Sequence, residues 1–278
     1  MFFTKKKKQC NVILSAGGIR ALAQIGALQA LEDQGWTIKS ICGISAGGII
    51  AAFYASGCPL PEMVKLAVET DFTQFKKLNF PRLNEGLFVF NGLGSWVYEN
   101  SFAKSYTPRC QLNIATCSLS TGNKMIFTDP NTKEVLSTAI EATCCIPLIF
   151  KPVEYQGEKY ADGALWSSAP IHFYEKSKLP TFVIHVQNSH TYIYNAFNKP
   201  IHTLYRVFEV FQINRLKGLK KRVANKPICI IEPEVGSVSP LAFKLKQEAR
   251  HALINTGRTS TEEAILKGIC TYAIPKTI

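Results

Sequence analysis

The sequence lacks any uninterrupted apolar run of the roughly 18 to 20 residues that a transmembrane helix requires. Its nine cysteines include no C-x-x-C pair, and their number is odd, so neither a structural zinc site nor a disulfide framework is indicated. With 46% apolar residues, the 278-residue chain can still bury a sizeable core. We therefore expect a globular cytoplasmic protein with reduced thiols, in which any membrane contact is peripheral.

Residues 1–9 lack the features of a complete secretory signal, although they include four consecutive lysines and precede an apolar stretch. Ser15, Gly17 and Gly18 interrupt that stretch before it reaches the length of a signal's apolar region. We expect no signal peptide, and we interpret residues 1–9 as a basic tail.

Acidic residues are scarce relative to basic ones: 32 lysines and arginines exceed 20 aspartates and glutamates, which gives a net charge of +12. This charge attracts polyanions, and both nucleic acids and anionic membrane surfaces qualify. The sequence contains no zinc finger, RNA-recognition signature or basic heptad region, so charge is the only support for nucleic acid. We expect a peripheral anionic membrane surface as the partner, and no nucleic acid.

The first part of the chain alternates strands and helices. Residues 11–15 and 38–42 read as strands, residues 19–34 as an amphipathic helix, and residues 46–56 as a helix that is apolar all round. Two buried strands joined by a helix predict a right-handed βαβ unit and a parallel sheet covered on both faces. Residues 71–98, rich in aromatic side chains interspersed with basic ones, are a candidate cap or lid.

The remaining chain continues this pattern without a repeat or a linker. The predicted elements are strands at residues 111–116, 124–128, 181–186 and 228–231, a helix at 134–145, a hairpin of 153–155 with 158–160, and a helical stretch before 228. We therefore predict one α/β domain over residues 10–278. Its core motifs lie in residues 11–170, and further helices and strands follow in residues 171–278.

The sharpest local motif is Gly43-Ile44-Ser45-Ala46-Gly47, which lies between a predicted strand and a predicted buried helix. In a nucleophile elbow, glycines two residues either side of the serine remove side chains that would collide where strand and helix meet. The helix N-terminus favours the negative charge that develops during acyl transfer. An ordinary glycine-rich turn is the alternative, but the context favours Ser45 as a nucleophile.

A second glycine-rich turn, Ser15-Ala16-Gly17-Gly18-Ile19-Arg20, follows the first strand. The carboxyl ends of parallel strands lie at one edge of the sheet, so this turn and the elbow should face one crevice. Backbone amides of the turn, mainly those of Gly17 and Gly18, could hold an oxyanion. A dinucleotide-binding turn is the alternative, but the first and last glycines of G-x-G-x-x-G are absent.

A serine nucleophile needs a base, and the usual choice is histidine. None of the five histidines lies in a motif; they are His172, His185, His190, His202 and His251. His185 lies in an apolar strand and is interpreted as a satisfied core histidine. Asp162, on an Asp-Gly turn after the predicted hairpin, could act as the base if it contacts Ser45 directly in a partly desolvated crevice. Taken alone, it could equally be a turn aspartate.

Four blocks together resemble the patatin-like phospholipase family: residues 15–20, the elbow around Ser45, residues 142–155 with Cys-Ile-Pro and Lys-Pro-Val, and residues 160–164 leading to Pro170. The resemblance implies a three-layer α/β/α sandwich around a mainly parallel sheet, with a Ser-Asp dyad and no metal, cofactor or catalytic histidine. It also implies site roles: Ser45 and Asp162 are catalytic, Ala16, Gly17, Gly18, Ile19 and Arg20 form the oxyanion loop, and Gly43, Gly47 and Gly163 are the glycines of the elbow and the dyad turn.

Two positions depart from the family pattern, because Ala16 and Ala21 replace glycines. Gly17 and Gly18 remain, so we expect the oxyanion hole to survive. The resemblance predicts a lipid acyl hydrolase, specifically a phospholipase A that forms an acyl-enzyme. The alternatives are a catalytically weak lipid-binding or signalling module, and a Ser-His-Asp esterase or acyltransferase.

Overall fold

A computed structural model describes residues 8–80, 85–167, 169–186, 200–223 and 225–267. The strands are β1 (Lys8–Leu14), β2 (Trp36–Gly43), β3 (Lys76–Leu78), β4 (Phe88–Phe90), β5 (Gln111–Ser118), β6 (Lys124–Thr128), β7 (Val153–Tyr155), β8 (Glu158–Asp162), β9 (Thr181–Ile184) and β10 (Ile228–Ile231). The α-helices are α1 (Leu22–Asp33), α2 (Ala46–Ser56), α3 (Leu60–Glu69), α4 (Leu93–Asn100), α5 (Lys133–Cys144), α6 (Pro200–Val223) and α7 (Gln247–Leu266).

Eight strands form one mixed sheet in the order β10-β9-β1-β2-β5-β8-β7, with β6 paired to β5. The five strands from β10 to β5 are parallel, and β6, β7 and β8 add antiparallel pairings. Helices and short 3₁₀ turns cover the sheet, so the predicted α/β architecture with its mainly parallel centre is confirmed. The two-stranded β3–β4 hairpin stands apart from the main sheet.

The central strands are buried on both faces because alternate side chains enter two separate cores. On β1, Val12 and Leu14 join a large cluster with α1, α2 and α5, whereas Ile13 joins a smaller one that includes Val223 of α6. Strands covered on both sides need continuous apolar runs, which is why these segments are recognisable in the sequence. The second face is the more thinly covered one, mainly by α6 and by short 3₁₀ turns.

The helix predicted at residues 19–34 differs from the observed one at both its start and its surroundings. The chain first makes a 3₁₀ turn, Gly18–Ala21, in which the amide of Ile19 donates to the carbonyl of Pro240 (3.0 Å), and the α-helix begins only at Leu22. The apolar face predicted for this helix is Ile19, Leu22, Ile25, Leu28 and Leu31. In the structure nearly every side of α1 is buried, because α7 covers the side of the helix whose residues are polar or small.

Close contact between α1 and α7 depends on two glycines. A Cβ on Gly26 would lie 1.8 Å from the carbonyl oxygen of Ile254, and one on Gly257 would lie 1.7 Å from that of Ala23. Helix backbones can approach this closely only where the side chain is a hydrogen atom. Gly26 and Gly257 therefore fix the position of α7, a helix that the sequence analysis did not single out.

Three further observations refine the sequence predictions. Lys8 and Gln9 belong to β1, so the tail expected at residues 1–9 is shorter at its inner end, and residues 1–7 lie outside the described chain. Among the described residues, seven cysteines carry free thiols, but Cys229 is disulfide-bonded, which contradicts the expectation of reduced thiols. No helix in the described ranges is long and apolar enough to cross a membrane.

Candidate active site

The predicted elbow connects β2 to α2, and its backbone is strained in the way that a tight strand-to-helix turn requires. Ser45 has φ of 55°, a left-handed conformation that is uncommon for a residue with a side chain. A Cβ on Gly43 would lie 2.3 Å from the carbonyl oxygen of Gly47, and one on Gly47 would lie 2.6 Å from that of Ser15. Both positions therefore exclude larger residues, and Ser45 is held at the N-terminus of α2.

Strand pairing brings Asp162 to the same place. Because β6 occupies one edge of β5 over residues 113–117, β2 and β8 must both pair with the other edge. Gly43, the last residue of β2, lies opposite Ile114, and Asp162, the last residue of β8, lies opposite Thr116. The two strand ends are thus about 7 Å apart along β5, at a rise of about 3.3 Å per residue.

The carboxylate of Asp162 is buried, with only 1% of the residue exposed, and it contacts the nucleophile candidate directly. One oxygen accepts a hydrogen bond from the amide of Ala164 (2.9 Å), and the hydroxyl of Ser45 also donates to the carboxylate. Burial raises the pKa of Asp162 from its ordinary value of 3.8 to about 7, against these two hydrogen bonds, which lower it. A pKa near 7 is suited to a general base at neutral pH.

Two residues that the sequence analysis missed hold the pair in position. The hydroxyl of Thr143, at the end of α5, accepts from the amide of Ser45 (2.9 Å) and donates to the carbonyl of Ala115 (2.6 Å). The amide of Asp162 donates to the carbonyl of Cys145 (2.8 Å). The end of α5 therefore bridges the elbow and the turn that carries Asp162.

Gly163 is required by the same crowding. A Cβ at this position would lie 2.3 Å from the carbonyl oxygen of Ala115, which is backbone and cannot move aside. The Asp-Gly pair is therefore a packing requirement of the turn, since the chain must pass β5 closely to present Asp162.

The glycine-rich turn after β1 has two backbone amides that no described residue accepts from. The amide of Ile19 donates to Pro240 and that of Arg20 to Gly17, so neither is available to a substrate. The amides of Gly17 and Gly18 have no acceptor within the described chain. Gly18 has φ of +55°, and a Cβ there would lie 2.1 Å from the carbonyl oxygen of Pro240, so this position requires glycine.

Ala16, where the family pattern has glycine, is accommodated by side-chain packing in the smaller core. The adjoining backbone is fixed by the hydroxyl of Ser15, which accepts from the amide of Val186 (3.1 Å) and donates to the carbonyl of Ala16 (3.0 Å). Gln24 donates to the carbonyl of Ser15 (2.8 Å). The turn is therefore rigid before any substrate binds.

A third amide belongs to Ala46, the first residue of α2. It has no acceptor in the described part of the chain, and it points from the same helix N-terminus that carries Ser45. In nucleophile elbows, the residue after the serine supplies an oxyanion donor. The pattern around Ser45 indicates Ala46 as a donor, whereas the predicted oxyanion loop comprised only the glycine-rich turn.

Arg20 is an internal anchor. Its guanidinium is buried and donates to the carboxylate of Glu209 on α6 (2.5 Å) and to the carbonyl of Val238 (2.6 Å). No pattern in the sequence indicates Glu209 as its partner. The same helix contacts the dyad turn, because Gln212 donates to the carbonyl of Ala164. Helix α6 thus connects the glycine-rich turn with the turn that carries Asp162.

No hydrogen bond or ion pair joins a described histidine to Ser45 or Asp162. His185 is buried and burial lowers its pKa to about 3, as expected for a core position, but neither ring nitrogen has a hydrogen-bond partner among the described residues. His172 packs against Trp166, and its pKa is lowered to about 4, mainly by burial. His251 is exposed, His190 lies outside the described residues, and the side chain of His202 is likewise not described.

An apolar cavity of about 90 Å³ adjoins both sources of free amides. Gly18 and Ala46 belong to its lining, apolar side chains from α1, α2, α3 and α4 supply most of the rest, and Phe72 and Phe243 complete it. Phe72 and Trp96 meet edge to face (6.2 Å), so this part of the predicted cap packs inward. The β3–β4 hairpin is different, since Leu78 and the adjacent Phe80 are exposed.

No group of three or more potential metal ligands of the His, Cys, Asp or Glu type occurs within the described chain. The residues described at the crevice present a hydroxyl, a carboxylate and neutral backbone dipoles.

Comparison with known proteins gives a consistent result. A family model described as Patatin-like phospholipase matches residues 12–173. The chain is 25% identical to the uncharacterized protein YqhO of Bacillus subtilis, over 90% of this chain and 96% of that protein. It is also 25% identical to the probable lipid hydrolase 463L of Invertebrate iridescent virus 6, over 74% of this chain and 77% of that protein.

Among solved structures, VipD from Legionella pneumophila is similar with a TM-score of 0.60. The match covers 95% of this chain and 67% of that chain at 14% sequence identity. At this identity the similarity concerns the fold alone.

Proposed function

Because the chain belongs to the patatin-like phospholipase family, we propose that it hydrolyses fatty-acyl esters of phospholipids as a phospholipase A, with Ser45 as nucleophile and Asp162 as general base. The observation that carries this proposal is the direct contact of a strained elbow serine with a buried carboxylate whose pKa is raised to about 7. An ordinary turn aspartate would be solvated and would remain a weak base.

In the first half of the reaction, Ser45 Oγ attacks the ester carbonyl carbon while its proton passes to the carboxylate of Asp162. The carbonyl oxygen becomes an oxyanion, which the amides of Gly17, Gly18 and Ala46 stabilise. When the tetrahedral intermediate collapses, the alcohol leaves as a lysophospholipid and takes the proton from Asp162. Water then attacks the acyl-enzyme, giving its proton to Asp162, and the fatty acid departs as Ser45 is reprotonated.

The apolar lining of the cavity supports an acyl group as the occupant. Gly18 and Ala46, two residues whose amides would hold the oxyanion, belong to its lining, so an acyl group bound in the cavity would lie beside Ser45. The net charge of +12 favours a substrate presented on an anionic membrane surface over a dispersed neutral ester.

The test is release of fatty acid from mixed phospholipid vesicles by wild type, Ser45→Ala and Asp162→Asn, each also treated with a fluorophosphonate probe. We expect release by wild type alone and labelling that is lost in Ser45→Ala. Full activity of Asp162→Asn would refute the dyad. Labelling of wild type without any release would leave Ser45 as nucleophile but refute the phospholipid substrate.

A histidine base is tested with the same assay. Replacing each of His172, His185, His190, His202 and His251 should leave fatty acid release within a few-fold of wild type, and loss of release in one well-folded variant would favour a Ser-His-Asp esterase.

A further inference from the structure

Helix α6 exposes a stripe that combines apolar and basic side chains. Val207, Val210 and Phe211 are 51%, 41% and 65% exposed, and their spacing places them on one side of the helix. Lys217 and Lys221 continue the same side toward the C-terminus and are also exposed. We call these five residues the α6 stripe.

The opposite side of α6 is built into the candidate active site. Glu209 binds the guanidinium of Arg20, next to the glycine-rich turn, and Gln212 donates to the carbonyl of Ala164, next to Asp162. Arg215 adds hydrogen bonds to the carbonyls of residues 165 and 166 (2.6 and 2.5 Å). The α6 stripe therefore lies about 10 Å from the catalytic turns, which is the diameter of one helix.

The charges of the stripe are uncompensated. Lys220 pairs with Glu232, and Arg222 pairs with Glu175, but Lys217 and Lys221 have no acidic partner in the described ranges. Three exposed apolar side chains followed by two free cations on one helix face match the composition of helices that lie in the interface of an anionic bilayer.

We propose that the α6 stripe docks the protein on an anionic phospholipid surface, with Val207, Val210 and Phe211 among the acyl chains and Lys217 and Lys221 at the lipid phosphates. This inference rests on the proposed function, since docking here would bring the crevice to its substrate. A second copy of the chain is a poorer occupant, because each copy carries a net charge of +12 and the stripe offers no acid to the lysines of its partner.

Vesicle binding tests the surface separately from catalysis. Flotation with phosphatidylcholine vesicles, with and without phosphatidylglycerol, is measured in the Ser45→Ala background so that the vesicles stay intact. The double variant Lys217→Gln, Lys221→Gln should bind anionic vesicles about 30-fold more weakly, which corresponds to ~1 kcal/mol for each basic residue near the surface. Phe211→Ser should weaken binding about tenfold, on the transfer free energy of a large apolar side chain.

A matched control removes the same charge elsewhere. Lys39→Gln, Lys178→Gln also lowers the net charge by two, but Lys39 lies in the first half of β2 and Lys178 just before β9, at the sheet edge opposite Ser45. This control should bind like the parent. If both double variants lose binding equally, net charge and not the α6 stripe is responsible, and the proposal is wrong.

Activity distinguishes failure of docking from failure of the proposed function. When Ser45 is retained, the stripe variants should hydrolyse a soluble short-chain ester as fast as wild type does. On anionic vesicles, the same variants should lose activity. Stripe-dependent binding without any lipid hydrolysis would refute the proposed function and leave the docking surface standing. If the stripe variants still bind anionic vesicles and hydrolyse their lipid, the docking surface is refuted and the proposed function is not.

Two other outcomes would also overturn the proposal. If Phe80→Ser, on the exposed β3–β4 hairpin, abolishes binding while Phe211→Ser does not, the hairpin is the docking element. If sedimentation velocity shows that wild type is a dimer and that Phe211→Ser converts it to a monomer, the α6 stripe is a self-association surface.

Discussion

Replacing Asp162 with asparagine should make the protein inactive and, at neutral to alkaline pH, more stable. The wild-type carboxyl is neutral in the folded protein up to a pKa of about 7, whereas in the unfolded chain it ionises near its ordinary value of 3.8. Between these two values the folded state binds the extra proton, so the stability that the neutral carboxyl contributes is lost as pH rises. The loss is about 1.4 kcal/mol per pH unit, or about 4 kcal/mol in all.

Wild type alone does not reveal this loss, because the buried His185 and the partly buried His172 act in the opposite direction. His172 and His185 have pKa values lowered to about 4 and about 3, so they stabilise the folded protein as pH rises toward the ordinary histidine value of 6.5. The difference in unfolding free energy between Asp162→Asn and wild type cancels the histidines. Asparagine is nearly isosteric and keeps an oxygen that can accept from the amide of Ala164.

Urea unfolding of both proteins at several pH values from 4 to 9 measures this difference. We expect it to grow in favour of Asp162→Asn by several kcal/mol up to pH of about 7 and then to level off. The wild-type kcat/KM should rise over the same range, because the base must be ionised. A stability difference that does not change with pH, or an activity profile that titrates near 4, would show that Asp162 is not desolvated as described.

Three further substitutions probe the surroundings of the pair. Thr143→Val removes the hydroxyl that bonds the amide of Ser45, so kcat should fall more than tenfold with little change in KM, and urea unfolding should show a loss of about 1 to 3 kcal/mol. His185→Leu removes a buried group that must become charged when the protein unfolds in acid. As pH falls from 6.5 to about 3, the free energy of unfolding of the variant should therefore decrease by about 1.4 kcal/mol less per pH unit than that of wild type. Equal acid sensitivity of the two proteins would contradict the low pKa of His185. Glu209→Gln leaves the buried guanidinium of Arg20 without its anion, so thermal unfolding should show a loss of roughly 3 to 5 kcal/mol, and labelling of Ser45 by a fluorophosphonate should slow.

Local sequence signals predicted those parts of the fold whose geometry is local. The bounds of α2, β6 and β10 agree with the predicted ranges, because each is a short element ended by turn residues. The turn of the β7–β8 hairpin is at Gln156 and Gly157, whose positive φ values of 50° and 81° are those of a tight two-residue hairpin turn. The apolar strands were recognisable because both of their faces are buried.

Features that depend on distant parts of the chain could not be predicted in this way. A glycine inside a helical pattern, such as Gly26, normally weakens a helix, and only the approach of Ile254 from α7 explains it. The resemblance placed Arg20 in the oxyanion loop, but its role as an internal anchor depends on Glu209, which lies 189 residues away in the sequence. Nothing about Glu209 in isolation distinguishes it from other helical acids.

The base and the oxyanion of this candidate site have conflicting electrostatic requirements, and different groups meet each of them. A cation beside Asp162 would lower the pKa of the carboxyl and make it a weaker base, yet the oxyanion that forms a few ångströms away needs positive potential. Burial and two hydrogen bonds account for the pKa of Asp162, and no cation contributes within the described chain. Arg20, the buried cation at the end of the glycine-rich turn, forms an ion pair with Glu209. Backbone amides at a helix N-terminus and a glycine turn can therefore serve the oxyanion without weakening the base, which is how an aspartate could replace histidine at this site.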